Sequence, residues 1–290
     1  GVVFIRMFQD MGFQKEQGMI VMLLAMLLTG ICGILFSMLL AFSAINLKAD
    51  QTIGGTALNM MAPALVLFFI YMIAQQNTLG MATGGAASWF MIKPSTFGLP
   101  KDYSWGPILD IFLNKAYPST YVCLLVFVLV SMFLYKTKTG LRLRSCGENP
   151  QAADSLGINV YKMRYLGVGL SGFLAGIGGF TYSMTTANCT STGEVAGYGF
   201  LALAVMIFGN WTPINIALGS LLFGLFKCIA ATYATLDING DGVYMLAEIG
   251  ISPYVYRMLP YIITLIVLAF TSKKSRVPKA EGIPYDKGQR

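Results

Sequence analysis

Histidine is absent from all 290 residues, which removes the usual general base, the side chain that titrates near neutral pH and the commonest metal ligand. Charge is scarce as well, at 11% of residues, against about a quarter in ordinary soluble domains. The cysteines, at 32, 123, 146, 189 and 228, are odd in number, share no Cys-x-x-Cys spacing and lie mostly in apolar surroundings. They read as small core residues, with neither a disulfide framework nor a zinc site indicated. No Gly-x-Ser-x-Gly and no Gly-x-x-x-x-Gly-Lys-Ser/Thr occurs, so neither a nucleophile elbow nor a phosphate cradle is expected. A membrane-embedded enzyme is disfavoured, no catalytic residue is expected, and if ATP drives this protein another chain hydrolyses it. The chain starts on Gly1 without an initiating Met or a signal-peptide pattern, and the expectation is that an N-terminal segment is missing.

What is present is apolar: 56% of residues are hydrophobic, arranged in uncharged runs near the length of about 20 that a bilayer core requires. These predict an all-α polytopic membrane protein of about seven spanning helices, at 18–45, 51–74, 121–135, 165–184, about 197–209, 214–235 and 258–271. One transmembrane domain thus covers 1–272, with a polar loop at 136–164 and a basic tail at 273–290. Gly30 and Gly33 have a spacing that lets another helix approach closely, and the glycines at 167, 169, 172, 176, 178 and 179 imply close helix contacts in the returning span. The sequence Gly209-Asn210-Trp211-Thr212-Pro213 is a strong turn signal.

Lys and Arg accumulate in short cytoplasmic loops. The 136–164 loop carries Lys136, Lys138, Arg142, Arg144, Lys162 and Arg164 against Glu148 and Asp154, and the tail carries Lys273, Lys274, Arg276 and Lys279. Both are therefore placed inside, and the four crossings between them satisfy the parity. The weakly charged 75–118 and the acidic 236–257 fall outside. Membrane lipid is the expected surrounding, and no nucleic-acid partner is expected.

Within the 136–164 loop, Asn149 can cap a helix that starts on Pro150, and Gly157 stands where a left-handed stop would fall. A helix of about two turns is marginal in water, so it needs something to pack on. Ala152, Ala153 and Leu156 form a small apolar knob suited to a groove; the alternative is an amphipathic helix resting on the bilayer.

Small and amide groups at the mouth of the second span, Gly54, Gly55, Thr56 and Asn59, suit either tight helix packing or the lining of a polar solute's path. Phe200 is grouped with them as a pathway candidate. Lys227, within a span, has two readings: its stem snorkels to the outer interface, or it lines a pore and meets an anionic or polar solute. No span contains a carboxylate, which weakens proton coupling but leaves sodium coupling through carbonyls and hydroxyls open. Residues 237–248 fit the EF-hand loop pattern, with Asp237, Asn239, Asp241, Val243 and Glu248 in ligating positions and Gly242 at the sharp turn. A structural calcium site and a solvated acidic loop are both compatible with that pattern.

Further residues carry a resemblance. The segment 147–153, Gly-Glu-Asn-Pro-Gln-Ala-Ala, followed by Gly157-Ile158-Asn159, resembles the cytoplasmic coupling motif of ABC-importer permeases of the branched-chain amino acid, ribose and nucleoside group; 199–205 with Gly209 and Pro213 resembles that group's second signature. Residues 49–59, 258–265 and 282–290 are similar to the nucleoside-type permeases that work with a basic-membrane-protein lipoprotein. Two features depart from the pattern: its early Gly-Leu-Glu-Gly-Met segment is absent, and the EF-hand-like loop is additional.

The resemblance implies a permease subunit of a bacterial cytoplasmic-membrane importer for nucleosides or related small polar solutes. It implies a second homologous permease, a cytoplasmic ABC ATPase holding ATP and Mg, and an extracellular substrate-binding lipoprotein as partners. No cofactor is implied for this chain itself. Glu148, Asn149, Pro150, Ala152, Ala153, Leu156, Gly157 and Ile158 become the expected ATPase-coupling residues. A simple-sugar ABC permease, or a secondary transporter or channel without an ATPase, are the competing expectations.

Overall fold

The computed structural model describes residues 1–93, 115–232 and 276–287, with single positions at 100, 106, 112, 252, 254, 255, 258, 261, 262 and 265. In order, the helices are α1 (Val2–Asp10), α2 (Gly18–Ile45), α3 (Gln51–Ala74), α4 (Ala86–Trp89), α5 (Pro118–Lys136), α6 (Lys138–Glu148), α7 (Pro150–Ser155), α8 (Val160–Thr185), α9 (Tyr198–Phe208) and α10 (Pro213–Thr232), with a 3-10 turn at Lys15–Gln17 before α2. An antiparallel bridge joins Leu79 to Ser191. The chain divides into two compact units, 1–195 with 279–290, and 196–278.

Among the described residues four helical stretches, Lys15–Ile45, Gln51–Ala74, Pro118–Lys136 and Pro213–Thr232, are long and apolar enough to cross a bilayer. At 26 residues α8 would reach about 39 Å, ample for a hydrocarbon core of about 30 Å; its glycines make it less apolar than the others. With only 11 residues α9 is a short apolar helix. The expected span at 258–271 lies mostly outside the described residues. The architecture is that of an all-α, multi-pass membrane protein.

The first unit is organised by α2 and α8, which run antiparallel with their backbones nearly touching. A Cβ added at Gly176 would stand 2.5 Å from the Thr29 carbonyl oxygen and 2.9 Å from Gly30 Cα, and one at Gly172 would stand 2.5 Å from the Gly33 oxygen. Gly30 in turn receives the Phe173 ring, and Gly169 the Met38 methyl. Lipid tails are as apolar as leucine, so helices in a membrane associate through such close van der Waals packing. Toward the N-terminal end of α2, Ile5, Met22, Met26, Ile70, Phe180 and Met184 form a buried cluster. At the other end the Tyr165 hydroxyl donates to Asn46 Oδ1 at 2.9 Å.

Asp50 starts α3: its Oδ1 accepts from Thr52 N at 2.7 Å and from Ile53 N at 3.2 Å. Those backbone donors, Ile53 first, hold its carboxyl below the usual carboxylate range. The cap is therefore present at neutral pH and is lost only as acid protonates the folded-state carboxylate.

Between α5 and α7 the structure adds a helix, α6, that the polar composition of this stretch did not suggest. Thr137 begins it, its Oγ1 accepting from Gly140 N at 3.1 Å. Gly140 itself lies against the backbone of Phe133 and Leu134, so the chain folds sharply at the end of α5. In the second unit α9 and α10 make a hairpin. Asn210 and Trp211 take positive φ values of 51° and 57° in the expected turn, and Phe208 meets Phe223 edge-on at 6.1 Å.

Candidate functional site

The short helix α7 is defined at both ends by side-chain chemistry. Asn149 is extended, and its Oδ1 accepts from Ala152 N at 3.0 Å. Pro150 follows as first helical residue, where its missing N–H would have had no helical partner. At the far end Gly157 takes φ +80°, while Gly157 N donates to the Asp154 oxygen at 2.9 Å and Ile158 N to the Ala153 oxygen at 3.1 Å. Those two bonds are the paired closures of a Schellman stop.

Which way the helix faces departs from the expected face in one residue. Leu156 is 81% exposed, and Ala152, one helical turn earlier, is exposed with it. Ala153 is 2% exposed and belongs to a small core with Cys146, Val160 and Tyr285. The correction comes from the surroundings: around the helix axis Ala152 and Leu156 lie about 40° apart and Ala153 about 60° beyond Leu156, far enough round to meet the core that Cys146, Val160 and Tyr285 supply. Ala153 supports the helix from beneath, and half-buried Ile158 packs on the same core. Glu148, Asn149 and Gly157 are exposed and Pro150 is half-buried. Beneath α7, burial pushes the Cys146 thiol up.

The pathway candidates separate into different environments. A Cβ at Gly54 would lie 3.2 Å from Leu40 Cδ1, so this glycine serves the packing of α3 on α2, whereas one at Gly55 would meet nothing within 4 Å. Thr56 Oγ1 donates within α3 to Thr52 O at 3.0 Å and to Ile53 O at 2.9 Å. Asn59 is exposed. It also holds a feature the sequence reading missed: Pro63 lies inside the helix four residues later, and having no N–H it leaves the Asn59 carbonyl without its helical donor. A side-chain amide and a released carbonyl thus fall on one residue of an apolar helix, a pairing tolerated at membrane depth where it is covered by protein or lines a cavity.

In the second unit, Lys227 Nζ lies 4.6 Å from the ring centroid of Tyr198 and 5.7 Å from that of Tyr261. Those faces accept the cation. Phe200 is exposed and helps line an apolar cavity of about 340 Å³ with Leu201, Ala204, Tyr261 and Leu265. A second cavity, of about 570 Å³ in the first unit, is lined by Gln14, Lys15, Glu16, Trp89, Phe90 and Lys93 among others. It sits by the N-terminal end of α2, and none of its residues was a sequence candidate. The proposed calcium ligands Asp237, Asn239, Asp241, Val243 and Glu248 lie outside the described residues. Among the described residues no cluster of His, Cys, Asp or Glu could hold a metal.

Comparison with known proteins adds the family. The nucleoside ABC transporter permease protein NupC of Lactococcus lactis is 40% identical over 266 residues, covering 92% of this chain and 78% of that protein. The guanosine ABC transporter permease protein NupQ of Bacillus subtilis is 37% identical over 283 residues, covering 96% and 82%. A putative glucose ABC transporter permease protein of Haloferax volcanii is 28% identical over 247 residues, covering 82% and 72%. No solved structure matches the chain. The model of the branched-chain amino acid transport system / permease component family matches residues 2–268, and the chain belongs to that family.

Proposed function

We propose that this chain is the permease subunit of an ABC importer that carries nucleosides across the bacterial cytoplasmic membrane, driven by a separate ATPase that docks on α7. The observation that carries the reading is α7 itself: a six-residue helix, capped by Asn149 and stopped at Gly157, that leaves Leu156 81% exposed beside Ala152. An apolar side chain held out on a rigid, capped turn suits insertion into a groove of another protein. The basic segments around α7 and in the tail favour the cytoplasmic side for both, where ATP is available. A second permease subunit completes the path, and an extracellular lipoprotein delivers the solute. Asn59 is assigned to the path in the first unit as a hydrogen-bonding group, and Lys227 and Phe200 are separate candidates within the second unit.

Nucleosides are favoured because two relatives, at 40% and 37% identity, carry nucleoside and guanosine names. A simple-sugar solute is the second reading, favoured by the glucose-named relative at 28%. The test is uptake of labelled guanosine, uridine and glucose by cells carrying the complete importer, with and without its ATPase gene. Nucleoside uptake that disappears with the ATPase is expected. Glucose uptake alone would replace the solute, and uptake that survives loss of the ATPase would end the importer reading. In the same assay Asn59→Leu is expected to slow nucleoside uptake about fivefold, the loss of one net hydrogen bond of about 1 kcal/mol. An unchanged rate removes Asn59 from the path.

A further inference from the structure

The basic C-terminal tail, expected from its charge on the same side as the 136–164 loop, is folded back onto the elements that flank α7. Ala280 N donates to the Gly147 oxygen at 2.9 Å, near the end of α6. Arg164 Nη1, in the first turns of α8, donates to the Ile283 oxygen at 3.1 Å. Tyr285 is 6% exposed and meets the Tyr161 ring edge-on at 5.3 Å, with the Arg164 guanidinium 5.9 Å from its centroid. Asp286 then pairs with Lys48, just beyond α2, at 3.0 Å. That ion pair is half-exposed and contributes little by itself; the buried ring is the anchor.

These contacts bear on α7 because of what α7 lacks. A helix of six residues has no stability of its own, and its one buried side chain, Ala153, offers only a methyl group. The core that Ala153 joins is completed by Cys146 from α6, Val160 from α8 and Tyr285 from the tail. Without the Tyr285 ring the largest of the four buried side chains of that core is gone, and a cavity is left beneath α7.

We propose that the tail is a positioning element for α7, with Tyr285 as a wedge and the Gly147 and Arg164 contacts as its fixings, so that Leu156 is presented in one orientation. The consequence for transport rests on the coupling reading given above. The contact itself does not.

The experiment separates the two. In the full chain with the other four cysteines replaced by alanine, maleimide modification of Cys146 in native membranes reports whether the core under α7 is closed. Tyr285→Ala is expected to speed modification at least tenfold, and Tyr285→Phe to restore the parental rate. In the reconstituted importer, Tyr285→Ala is expected to reduce substrate-stimulated ATP hydrolysis about tenfold while the ATPase still co-purifies, again with rescue by Phe. Ala280→Pro, which deletes the N–H given to Gly147 and fixes φ at that position, is a milder variant expected to shift both readouts in the same direction. A Cys146 rate indifferent to Tyr285→Ala overturns the proposal, as does faster modification with ATP hydrolysis still fully coupled. A parent importer without any stimulated hydrolysis, but with Tyr285-dependent protection of Cys146, sinks the coupling reading and leaves the tail contact standing.

Discussion

Gly172→Leu is expected to abolish the folded permease. A Cβ there stands 2.5 Å from the Gly33 oxygen and collides with the Ser37 side chain, and the obstructing Gly33 atom is backbone, which cannot rotate aside. The helices can respond only by separating. Gly33, Gly172 and Gly176 share one line of contact, so separation at one point loosens the neighbouring turns as well. Overpacking in a close-packed core costs about 1–3 kcal/mol where side chains can yield; here none can, and α2–α8 is the spine of its unit. Gly178 and Gly179 make the internal control, because an added Cβ at either meets nothing within 4 Å. Gly178→Ala is expected to leave stability unchanged or raise it by about 1 kcal/mol through helix propensity. Size-exclusion profiles and melting temperatures of detergent extracts check both: a monodisperse Gly172→Leu protein melting with the parent would show that the two helices do not touch as described.

The glycine spacing that announces this pair is legible in the sequence because close approach in a membrane restricts residue choice more strongly than any other packing. The bounds of α2 and α3 are legible for a related reason, since charge and cap residues interrupt the runs at Lys15, Glu16, Lys48 and Asp50. The caps of α7 are local, set by Asn149, Pro150 and Gly157, and so are read correctly from a few neighbours. What a short window does not reveal is orientation: Ala153 turns inward because Tyr285, more than a hundred positions away, supplies the core it joins. The tail's charge indicates only a side of the membrane; that its one aromatic ring, Tyr285, joins the core under α7 depends on contacts distant in sequence. Lys227 is similar, because the rings that hold it come from α9 and from Tyr261. The Asn59 carbonyl released by Pro63 was legible at a separation of four residues. It is missed when the span is read only for hydrophobicity.

Valine at Gly157 and aspartate at Leu156 are expected to stop ATP-driven uptake for different reasons, and the difference identifies what α7 does. Gly157 holds φ +80°, and a Cβ there meets nothing within 4 Å, so the obstacle is backbone strain of about 1–2 kcal/mol for a side chain that avoids the left-handed region. β-branched residues suffer most and Asn least. Uptake should therefore fall in the order Asn, Ala, Val at this position, with Asn close to the parent and Val at least tenfold down, because the bonds to the Ala153 and Asp154 carbonyls close only when the chain turns there. Leu156→Asp leaves that turn intact. Its side chain is exposed in the free subunit, so the variant keeps the parental melting temperature. It loses the burial of about 1.5–3 kcal/mol that a leucine gains in a partner's groove, which weakens ATPase capture roughly ten- to a hundredfold. Co-purification of the ATPase and uptake are the two measurements. If Leu156→Asp captures the ATPase and transports normally, then α7 rests on the bilayer or on nothing, and its caps have a purely structural purpose. If only the Gly157 series responds, the shape of the turn matters and its apolar tip does not. Loss in both, with folding preserved in Leu156→Asp, is the result that requires a partner protein on that face.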